Sequence, residues 1–466
     1  MPTSLDPSAL SSLRDQLRGP VLTPGDEVYD DARQIWNARL QQRPAAVARC
    51  SGAADVQAAV RVARAHDLDL AVKSGGHSYA GRSTHEGGLL VDLSAMTGIR
   101  VNPQAQRARV QAGATWGSVD HETQAHGLAT TGATVSTVGV AGYTLGGGTG
   151  HLARSCGLAT DNLVSADVIT AEGDWMHASA DANPDLFWGL RGGGGTLGIV
   201  TSFEFQLHEV GPEVLAGQII YPMEQAREGL RVYRSLMQGA PPELQVYAFF
   251  IHVPPLDVLP DAYHGAVALD LVVAYTGDLS DGEAAIRPLR EIGEPLLDAV
   301  RPQPYTELQQ TFDDGVPKGH RWATRAGYLD TLSDAAIDTI IDHVDPLPGP
   351  FSMMYLEPLG GAIRAVDPSD TAFPHRGADF GFHLLTGWTE PEKDASMIAW
   401  TKEFYEMLNP HTDEGVYVNL LGEDENDRIP EAYGRNYERL AELKAKWDPD
   451  AVFRSAPPVA PRVASS

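Results

Sequence analysis

The sequence predicts an α+β fold in two main parts, and three observations support that prediction. The chain of 466 residues is too long for one ordinary hydrophobic core. Residues 41–211 alternate short strands with helices and are rich in glycine. Residues 212–410 contain longer amphipathic segments and four strand-like runs, which are typical of an antiparallel sheet flanked by helices. We therefore divide the chain into residues 1–40, 41–211, 212–410 and 411–466.

The first segment, residues 1–40, is predicted to form a short helical lead-in followed by a loop. The second segment begins with a strand-and-helix pattern. Asp55 is expected to cap the next helix, whose apolar residues share one face from Val56 to Ala63. Strands are then predicted at 67–74, 88–96 and 107–113, and a helix near 116–126. Glu172-Gly173-Asp174 predicts a hairpin between two strands. A helix over 184–191 and a strand over 199–207 complete this part.

The third and fourth segments differ in texture. The four strand-like runs lie at 244–253, 267–275, 352–359 and 380–388. Residues 430–448 are predicted to form a single helix. Its apolar and aromatic stripe consists of Tyr433, Tyr437, Leu440, Leu443 and Trp447. The stripe indicates a helix with one buried face.

Composition excludes several classes of partner. With 35 basic and 62 acidic residues the net charge is −27, which repels nucleic-acid phosphates and anionic lipid surfaces. No apolar run is long enough to predict a transmembrane helix, and no signal peptide is recognisable, so we expect a cytoplasmic protein. The two cysteines, Cys50 and Cys156, exclude a disulfide scaffold and a cysteine-based metal cluster.

Three glycine-dense segments, at 74–81, 134–150 and 191–203, indicate a large ligand. Any one of them alone could be a flexible surface loop, but clustered glycine costs backbone entropy and calls for a reason. Bare N–H groups can approach phosphates or a ring closely, and lysine is nearly absent from these segments. His77 lies inside the first segment, where a neutral imidazole is a nucleophile that can bond to an electrophilic cofactor.

Other nucleotide and catalytic motifs are excluded or unsupported. A G-x-G-x-x-G pattern at Gly193, Gly195 and Gly198 follows a predicted helix and precedes a strand, which is the reverse of a nicotinamide-binding turn. The sequence has no P-loop motif and no G-x-S-x-G elbow. It also has no H-E-x-x-H motif, and no metal site is predicted.

Five long motifs, at 74–81, 132–173, 185–207, 417–425 and 433–454, resemble the berberine-bridge-enzyme-like flavoproteins. These belong to the vanillyl-alcohol-oxidase-type FAD-linked oxidases, and the chain is most similar to the bacterial branch. The resemblance implies a PCMH-type FAD-binding domain of two α/β subdomains, built from residues 41–211 and the returning, BBE-like segment 411–466. Residues 212–410 would be the substrate-binding domain, with its antiparallel sheet over the flavin ring.

The resemblance also implies a role for each matching residue. His77 would carry a covalent 8α-histidyl bond to FAD. This link is expected to be single, because Val135–Gly139 stands where doubly linked members carry a cysteine. The expected diphosphate contacts are Ser74, Gly75, Gly76 and Ser78. Those of the ring and ribityl chain are Thr137, Gly139, Gly142, Gly146, Gly147 and Gly150, and those on the adenine side are Gly198, Ile199 and Val200. Asp161, Asn162 and Leu163 match the segment after the glycines, and Tyr417 and Asn419 match an element beside the isoalloxazine.

The implied reaction is hydride transfer from an alcohol or amine carbon of a small molecule to FAD, with O₂ reduced to H₂O₂. A base must take the O–H or N–H proton, and Tyr417 and His383 are the candidates. A phenol acts as a base only if its pKa is lowered, for which Arg325 or Arg376 could provide the charge. The alternative interpretation of His383 is an exposed residue on an edge strand. Glu357 is expected to be a structural residue at a strand end.

Two alternatives keep the same flavin site. A dehydrogenase would pass the electrons to an acceptor other than O₂. A binding protein would sequester a ligand and retain the flavin as a structural part, but intact His77, Tyr417 and Asn419 argue against it. The substrate and the oligomeric state, monomer or dimer, are left open by the sequence.

Overall fold

The structure, a computed structural model, describes residues 5–462 and begins with a four-stranded sheet. Its strands are β1 (Val21–Leu22), β2 (Ala46–Arg49), β3 (Leu70–Lys73) and β4 (Leu89–Asp92), in the order β1-β2-β4-β3. The helices of this region are α1 (Pro7–Gln16), α2 (Tyr29–Arg33) and α3 (Ala53–Ala65). Both β2 and β3 run parallel to β4, so each needs a crossover, and α3 supplies one between β2 and β3.

A second, antiparallel sheet follows. Its strands are β5 (Ile99–Asn102), β6 (Arg107–Gln111), β8 (Leu163–Ile169), β9 (Trp175–Ser179) and β10 (Ile199–Gln206), in the order β5-β6-β10-β8-β9, while β7 (Leu128–Ala129) pairs with β11 (His208–Glu209). The helices here are α4 (Trp116–Gln124), α5 (Val140–Leu145), α6 (Ala153–Cys156) and α7 (Pro184–Leu190). The predicted hairpin is confirmed, because β8 and β9 pair directly across Glu172–Asp174.

The third sheet has eight antiparallel strands. They are β12 (Glu213–Pro222), β13 (Leu244–His252), β14 (Val267–Tyr275), β15 (Leu297–Asp298), β16 (Arg301–Pro304), β17 (Arg321–Leu329), β18 (Met353–Pro358) and β19 (Phe380–Trp388). Their order is β15-β12-β14-β13-β18-β19-β17, with β16 also on β12. Its helices are α8 (Met223–Gly239), α9 (Leu279–Arg290), α10 (Tyr305–Leu308), α11 (Asp334–His343), α12 (Ala362–Ala365) and α13 (Asp394–Leu408). The predicted α+β class is confirmed, and the sequence missed the long strands β12 and β17.

Alternation along the strands gives this third sheet two different faces. Leu269 and Phe250 lie in a core that also contains Leu230 of α8 and Ile337 of α11. Residues one position away, such as Phe249 of β13, lie on the opposite face, because successive side chains of a strand point to opposite sides. That opposite face turns towards the glycine-rich loops. Across residues 5–462, helices of membrane-spanning length and apolarity are absent.

The C-terminal segment returns to the first part of the chain. The predicted single helix is instead two, α14 (Ile429–Tyr433) and α15 (Tyr437–Trp447), because Gly434 between them has φ of +42°. The hydroxyl of Tyr433 donates to the carbonyl of Gly193 at 3.1 Å. Lys444 donates to the carbonyl of Thr196 at 2.8 Å. Both bonds bring the segment against the third glycine-dense loop.

The expectation that Asp55 caps a helix is wrong. Gly52 occupies the N-cap position of α3, and Asp55 lies within the first turn. The Asp55 carboxylate accepts hydrogen bonds from the backbone N–H groups of Arg18, Gly19 and Ser51. Its role is therefore to tie the N-terminal lead-in to the first sheet.

Candidate active site

A cavity of about 340 Å³ lies where the glycine-rich loops meet the eight-stranded sheet. This volume is within the range of small-molecule sites, about 300–1,000 Å³. Its lining includes the predicted residues Ser74, Gly75, Gly76, His77, Ser78, Gly139, Gly142, Gly198, Ile199, Val200, His383, Tyr417 and Asn419. Residues from all three glycine-dense segments, from the sheet and from the C-terminal segment therefore share one space.

Two glycine loops interlock at the cavity wall. A Cβ atom on Gly75 would lie 2.4 Å from the backbone nitrogen of Gly139, and one on Gly139 would lie 2.3 Å from that of Gly75. A Cβ on Gly142, by contrast, would meet no atom within 4 Å, and Gly142 lines the cavity. Gly75 and Gly139 therefore allow the two loops to pack together, and Gly142 leaves bare backbone facing the open cavity. This cradle fits a large planar and phosphorylated cofactor.

These glycines predict contrasting variants. Gly139→Ala is expected to lower the free energy of unfolding by about 1–3 kcal/mol or more, because backbone must move apart. Gly142→Val is expected to keep the melting temperature within about 2 °C and to lose FAD, since the new side chain occupies only cavity space. Thermal unfolding and flavin content per chain would check both. Equal losses of stability in the two variants would contradict this account.

His77 is half-buried and held by two contacts. Its Nε2 lies 3.1 Å from Thr137 Oγ1, and its ring stacks on Trp36 with centroids 5.2 Å apart. Burial, reinforced by the charge of Lys318, lowers the pKa of His77 to about 4. The imidazole is therefore neutral near pH 7. When Nε2–H donates to Thr137, the lone pair lies on Nδ1, which is the state that a nucleophile requires.

The lowered pKa of His77 gives a pH prediction. Only the neutral ring is nucleophilic, so a pKa of about 4 keeps His77 reactive well below the pH at which an ordinary histidine is protonated. In flavin-free protein given FAD, the rate of covalent attachment is expected to stay constant from about pH 8 to about pH 5. Acid-stable flavin per chain over time would measure it. A fall centred near pH 6.5, the ordinary histidine value, would contradict it.

Tyr417 lies against the second glycine loop. Its hydroxyl oxygen accepts hydrogen bonds from the Gly148 N–H at 2.8 Å and from Asn419 Nδ2 at 2.9 Å. Asn419 Nδ2 also donates to the carbonyl of Tyr143 at 3.0 Å. The two donors favour a phenolate, but burial outweighs them and raises the pKa of Tyr417. Tyr417 is therefore a neutral phenol whose own proton remains available for donation.

The two arginines considered as cationic neighbours of Tyr417 bind carboxylates instead. Arg325 pairs with Asp424 at 2.8 Å, and Arg376 pairs with Asp161 at 2.7 Å. Neither guanidinium hydrogen-bonds to the Tyr417 hydroxyl in the described part of the chain. Neither arginine therefore takes the role of cationic neighbour that the sequence left open to both.

His383 and Glu357 form a buried pair on the cavity face of the sheet, 4 % and 3 % exposed. His383 Nε2 lies 3.3 Å from Glu357 Oε2, and Tyr247 donates to Glu357 Oε1 at 3.2 Å. The ring of Tyr355 stacks on His383 with centroids 4.4 Å apart. Within residues 5–462, His383 Nδ1 has no hydrogen-bond partner. The pair therefore contains one buried ring nitrogen without a hydrogen-bond partner, on an imidazole backed by a carboxylate.

The structure contradicts the alternative interpretation of His383 and extends that of Glu357. His383 lies on β19, which is flanked by β17 and β18, so it is neither exposed nor on an edge strand. Glu357 does lie near the end of β18, but it lines the cavity rather than serving only the sheet. The sequence does contain a sign that Glu357 faces the cavity. Side chains two residues apart on a strand share a face, so Glu357 lies on the same face as Tyr355. Tyr247 and Phe249 have the same spacing.

Seven predicted cofactor residues do not line the cavity: Thr137, Gly146, Gly147, Gly150, Asp161, Asn162 and Leu163. A Cβ on Gly146 would lie 2.1 Å from Asn419 Oδ1, and one on Gly150 would lie 2.0 Å from the carbonyl oxygen of Gly132. Asp161 holds Arg376. Gly146 and Gly150 therefore pack closely against protein atoms behind the cavity wall. Close backbone packing and close approach of a ligand both require glycine, so the sequence does not distinguish them.

The same second segment contributes further protein contacts. Asn162 Nδ2 donates to the carbonyls of Cys156 and Leu158, each at 2.9 Å, and Leu163 begins β8. Gly147 has φ of +132°, and a Cβ there would lie 3.0 Å from the Phe373 ring. Thr137 reaches the cavity only through its contact with His77.

Comparison with known proteins agrees with this architecture. Residues 44–179 match the family model described as an FAD binding domain, and residues 416–460 match the one described as berberine and berberine like. The chain is 30% identical to the (R)-6-hydroxynicotine oxidase of Paenarthrobacter nicotinovorans, over 94% of this chain and 96% of that protein. It is 28% identical to the xylooligosaccharide oxidase of Thermothelomyces thermophilus, over 96% and 93% of the two chains.

A solved structure shows the same fold. The 6-hydroxy-D-nicotine oxidase of Arthrobacter nicotinovorans superposes with a TM-score of 0.86 at 28% identity, covering 96% of this chain and 98% of the other. The cradle, the paired domain matches and these full-length relatives agree. The chain belongs to the berberine and berberine-like family of FAD-linked oxidoreductases.

Proposed function

We propose that this enzyme oxidises an alcohol or amine carbon of a small molecule, with FAD bonded singly through His77 and with O₂ reduced to H₂O₂. One observation carries the proposal: a single cavity brings His77 together with Tyr417, Asn419 and the buried His383–Glu357 pair. When bound, FAD supplies the hydride acceptor. The protein supplies attachment, orientation and a proton acceptor.

The glycine loops would hold the cofactor. Backbone N–H groups of the Ser74–Ser78 turn suit a diphosphate, and Gly142 leaves room for the ring system at the second loop. Ile199 and Val200 at the start of β10 offer an apolar wall for the adenine. His77 would hold the flavin through a bond from Nδ1 to the 8α carbon; that carbon would lose a C–H proton, and O₂ would take up the two electrons released. Thr137 would keep the imidazole in the tautomer with its lone pair on Nδ1.

His383 is the favoured proton acceptor. With Nε2–H pointing to Glu357, its Nδ1 carries a lone pair for the substrate O–H or N–H proton. The Glu357 carboxylate would stabilise the imidazolium that results, as an orienting acid does in catalytic triads. Tyr417, whose burial raises its pKa, is better suited to donate a hydrogen bond than to accept the proton.

The experiment is anaerobic mixing of the purified holoenzyme with a panel of alcohols, sugars and amines, followed by admission of air. Bleaching of the flavin by a panel member, then rapid recovery with one H₂O₂ per flavin, would support the oxidase. Bleaching with slow recovery and no H₂O₂ would support a dehydrogenase instead. If dithionite bleaches the flavin but no organic compound does, the result would support the alternative of a ligand-binding protein that retains the flavin as a structural part. His383→Gln is the matched control for substrate-dependent bleaching.

A further inference from the structure

We infer that the substrate is an organic cation, namely an amine protonated in solution that carries an aromatic or other apolar body. This rests on the proposed function, because it concerns the same cavity. Among the described residues that line the cavity, Glu357 is the sole carboxylate. Its hydrogen-bond partners are the Tyr247 hydroxyl and His383, and no Lys or Arg pairs with it in residues 5–462.

A buried carboxylate without a cationic partner is unfavourable, and a cationic ligand would remove that cost. The surrounding wall suits the same ligand. Phe249 stacks on Tyr355 at 4.6 Å and contacts Phe312 at 4.7 Å, while Tyr247 lies 6.1 Å from Phe249. Aromatic faces attract ammonium groups and also bury an apolar body.

The same wall is unsuited to a sugar chain. Each buried sugar hydroxyl needs a hydrogen-bond partner, and sites that bind polyols supply several. Phe249, Met353 and Leu385 at this end of the cavity offer no hydrogen bond, and of its tyrosine hydroxyls, those of Tyr247, Tyr355 and Tyr417, the first already donates to Glu357. We therefore expect this chain to differ in substrate from its oligosaccharide-oxidising relative.

The chemical step balances for such a substrate. The ammonium N–H proton passes to His383 Nδ1, which leaves a nitrogen lone pair. The adjacent C–H bond would then break as the lone pair forms a C=N bond, and bound FAD would supply the hydride acceptor. The product would be an iminium cation, and O₂ would take up the two electrons, the hydride's proton and the proton held by His383 to give H₂O₂. Glu357 faces a positive charge before and after the step.

The test is a binding titration that needs no turnover. Oxidised holoenzyme is titrated with benzyltrimethylammonium, benzyl alcohol and xylobiose, and the flavin absorbance spectrum reports occupancy. We expect the cation to bind at least about tenfold more tightly than benzyl alcohol and xylobiose to produce no saturable change. Glu357→Gln should lower the affinity for the cation about tenfold or more and leave the affinity for benzyl alcohol unchanged. The exposed control, Glu390→Gln, should alter neither affinity.

Equal affinities for cation and alcohol, tighter binding of xylobiose, or an unchanged cation affinity in Glu357→Gln would overturn the inference. If Glu357→Gln does not fold, Phe249→Leu keeps the carboxylate and removes one ring. It should weaken the cation more than the alcohol. An enzyme that oxidises only alcohols would overturn the cation inference and leave the proposed function standing, whereas failure of all bleaching would remove the proposed function.

A separate observation concerns the cofactor, and from it we infer that Arg82 binds the diphosphate of FAD. Arg82 is the sole Arg or Lys among the described cavity-lining residues. Its Nη2 donates to Asn426 Oδ1 at 3.0 Å, and its buried Nε has no partner within residues 5–462. The Arg82 N–H donates to Ser78 Oγ at 3.0 Å, which makes Arg82 part of the turn that would cradle the diphosphate.

Electrostatics make this position informative. The protein carries a net charge of −27, yet Arg82 forms no carboxylate ion pair in the described chain. Burial alone disfavours an unpaired guanidinium, and an anionic ligand would restore the balance. A diphosphate matches a guanidinium in charge and in hydrogen-bond geometry.

The test uses flavin-free His77→Ala protein, in which binding is reversible, and compares FAD with riboflavin, which lacks phosphate. Adding Arg82→Gln should lower the affinity for FAD about tenfold or more and leave the affinity for riboflavin unchanged. It should also reduce the salt dependence of FAD binding. Arg82→Lys should restore part of the affinity. The matched control is Arg39→Gln, since Arg39 already pairs with Glu423. Equal weakening of both ligands would indicate a structural role and overturn the inference, as would an unchanged FAD affinity.

Discussion

Replacement of His77 by alanine is expected to abolish covalent flavin while FAD binding persists in weakened form. The His77 ring lines the cavity and is held by Thr137 and Trp36, so its loss removes the nucleophile. The backbone of the Ser74–Ser78 turn and of the second glycine loop remains to hold the cofactor. Acid precipitation, with flavin spectra of pellet and supernatant and the intact mass of the pellet, measures the result.

In the unaltered protein the pellet should be yellow and heavier by one FAD. In His77→Ala the colour should move wholly to the supernatant. His121→Ala, an exposed histidine on α4, is the matched control and should keep a yellow pellet. A covalently labelled His77→Ala pellet would refute the assignment. A colourless pellet from the unaltered protein would keep the fold and remove the covalent bond from the proposal.

Replacement of His383 by glutamine is expected to lower the rate of flavin reduction about 10²–10⁴-fold, the usual contribution of a general base. Glutamine can still hydrogen-bond to Glu357 but cannot accept a proton. Covalent flavin content should not change, since His77 is untouched. Anaerobic stopped-flow mixing with a substrate found in the screen isolates this step.

Tyr417→Phe is the matched comparison. If the phenol only donates a hydrogen bond, its loss should lower the rate of flavin reduction about fivefold, because a hydrogen bond contributes about 1 kcal/mol net. The Gly148 N–H and Asn419 would lose their acceptor, so some structural cost is included. A larger loss in Tyr417→Phe than in His383→Gln would return the role of base to the tyrosine.

The sequence predicted those features that depend on local chemistry. The hairpin at Glu172–Asp174 and the four strands β13, β14, β18 and β19 follow from turn residues and from dense β-branched and aromatic runs. The strands β12 and β17 were missed, because Gly217 in β12 and Arg321 and Arg325 in β17 obscure the pattern. The single helix predicted over 430–448 is divided in two, because Gly434 has a positive φ that the periodic apolar stripe does not reveal.

In the candidate site, too, the sequence predicted local features and missed a pair that only the tertiary structure brings together. His77 within a glycine turn was recognisable from a few adjacent residues, because a tight turn, bare N–H groups and a nucleophile are all local properties. The pairing of His383 with Glu357 was not. These residues are 26 apart in the chain and meet only because β18 and β19 pair with Tyr355 opposite His383.

The sequence by itself determined the fold class, the family and the glycine-lined turn with His77, since those are encoded in composition, spacing and long ordered motifs. The tertiary structure alone decided which side chains face the cavity and what their charges meet. It paired Arg325 with Asp424 and Arg376 with Asp161, and within residues 5–462 it left Glu357 beside the cavity without a Lys or Arg partner. The physical reason is that burial and ion pairing depend on strand register and domain contact, which bring together residues that are remote in the chain.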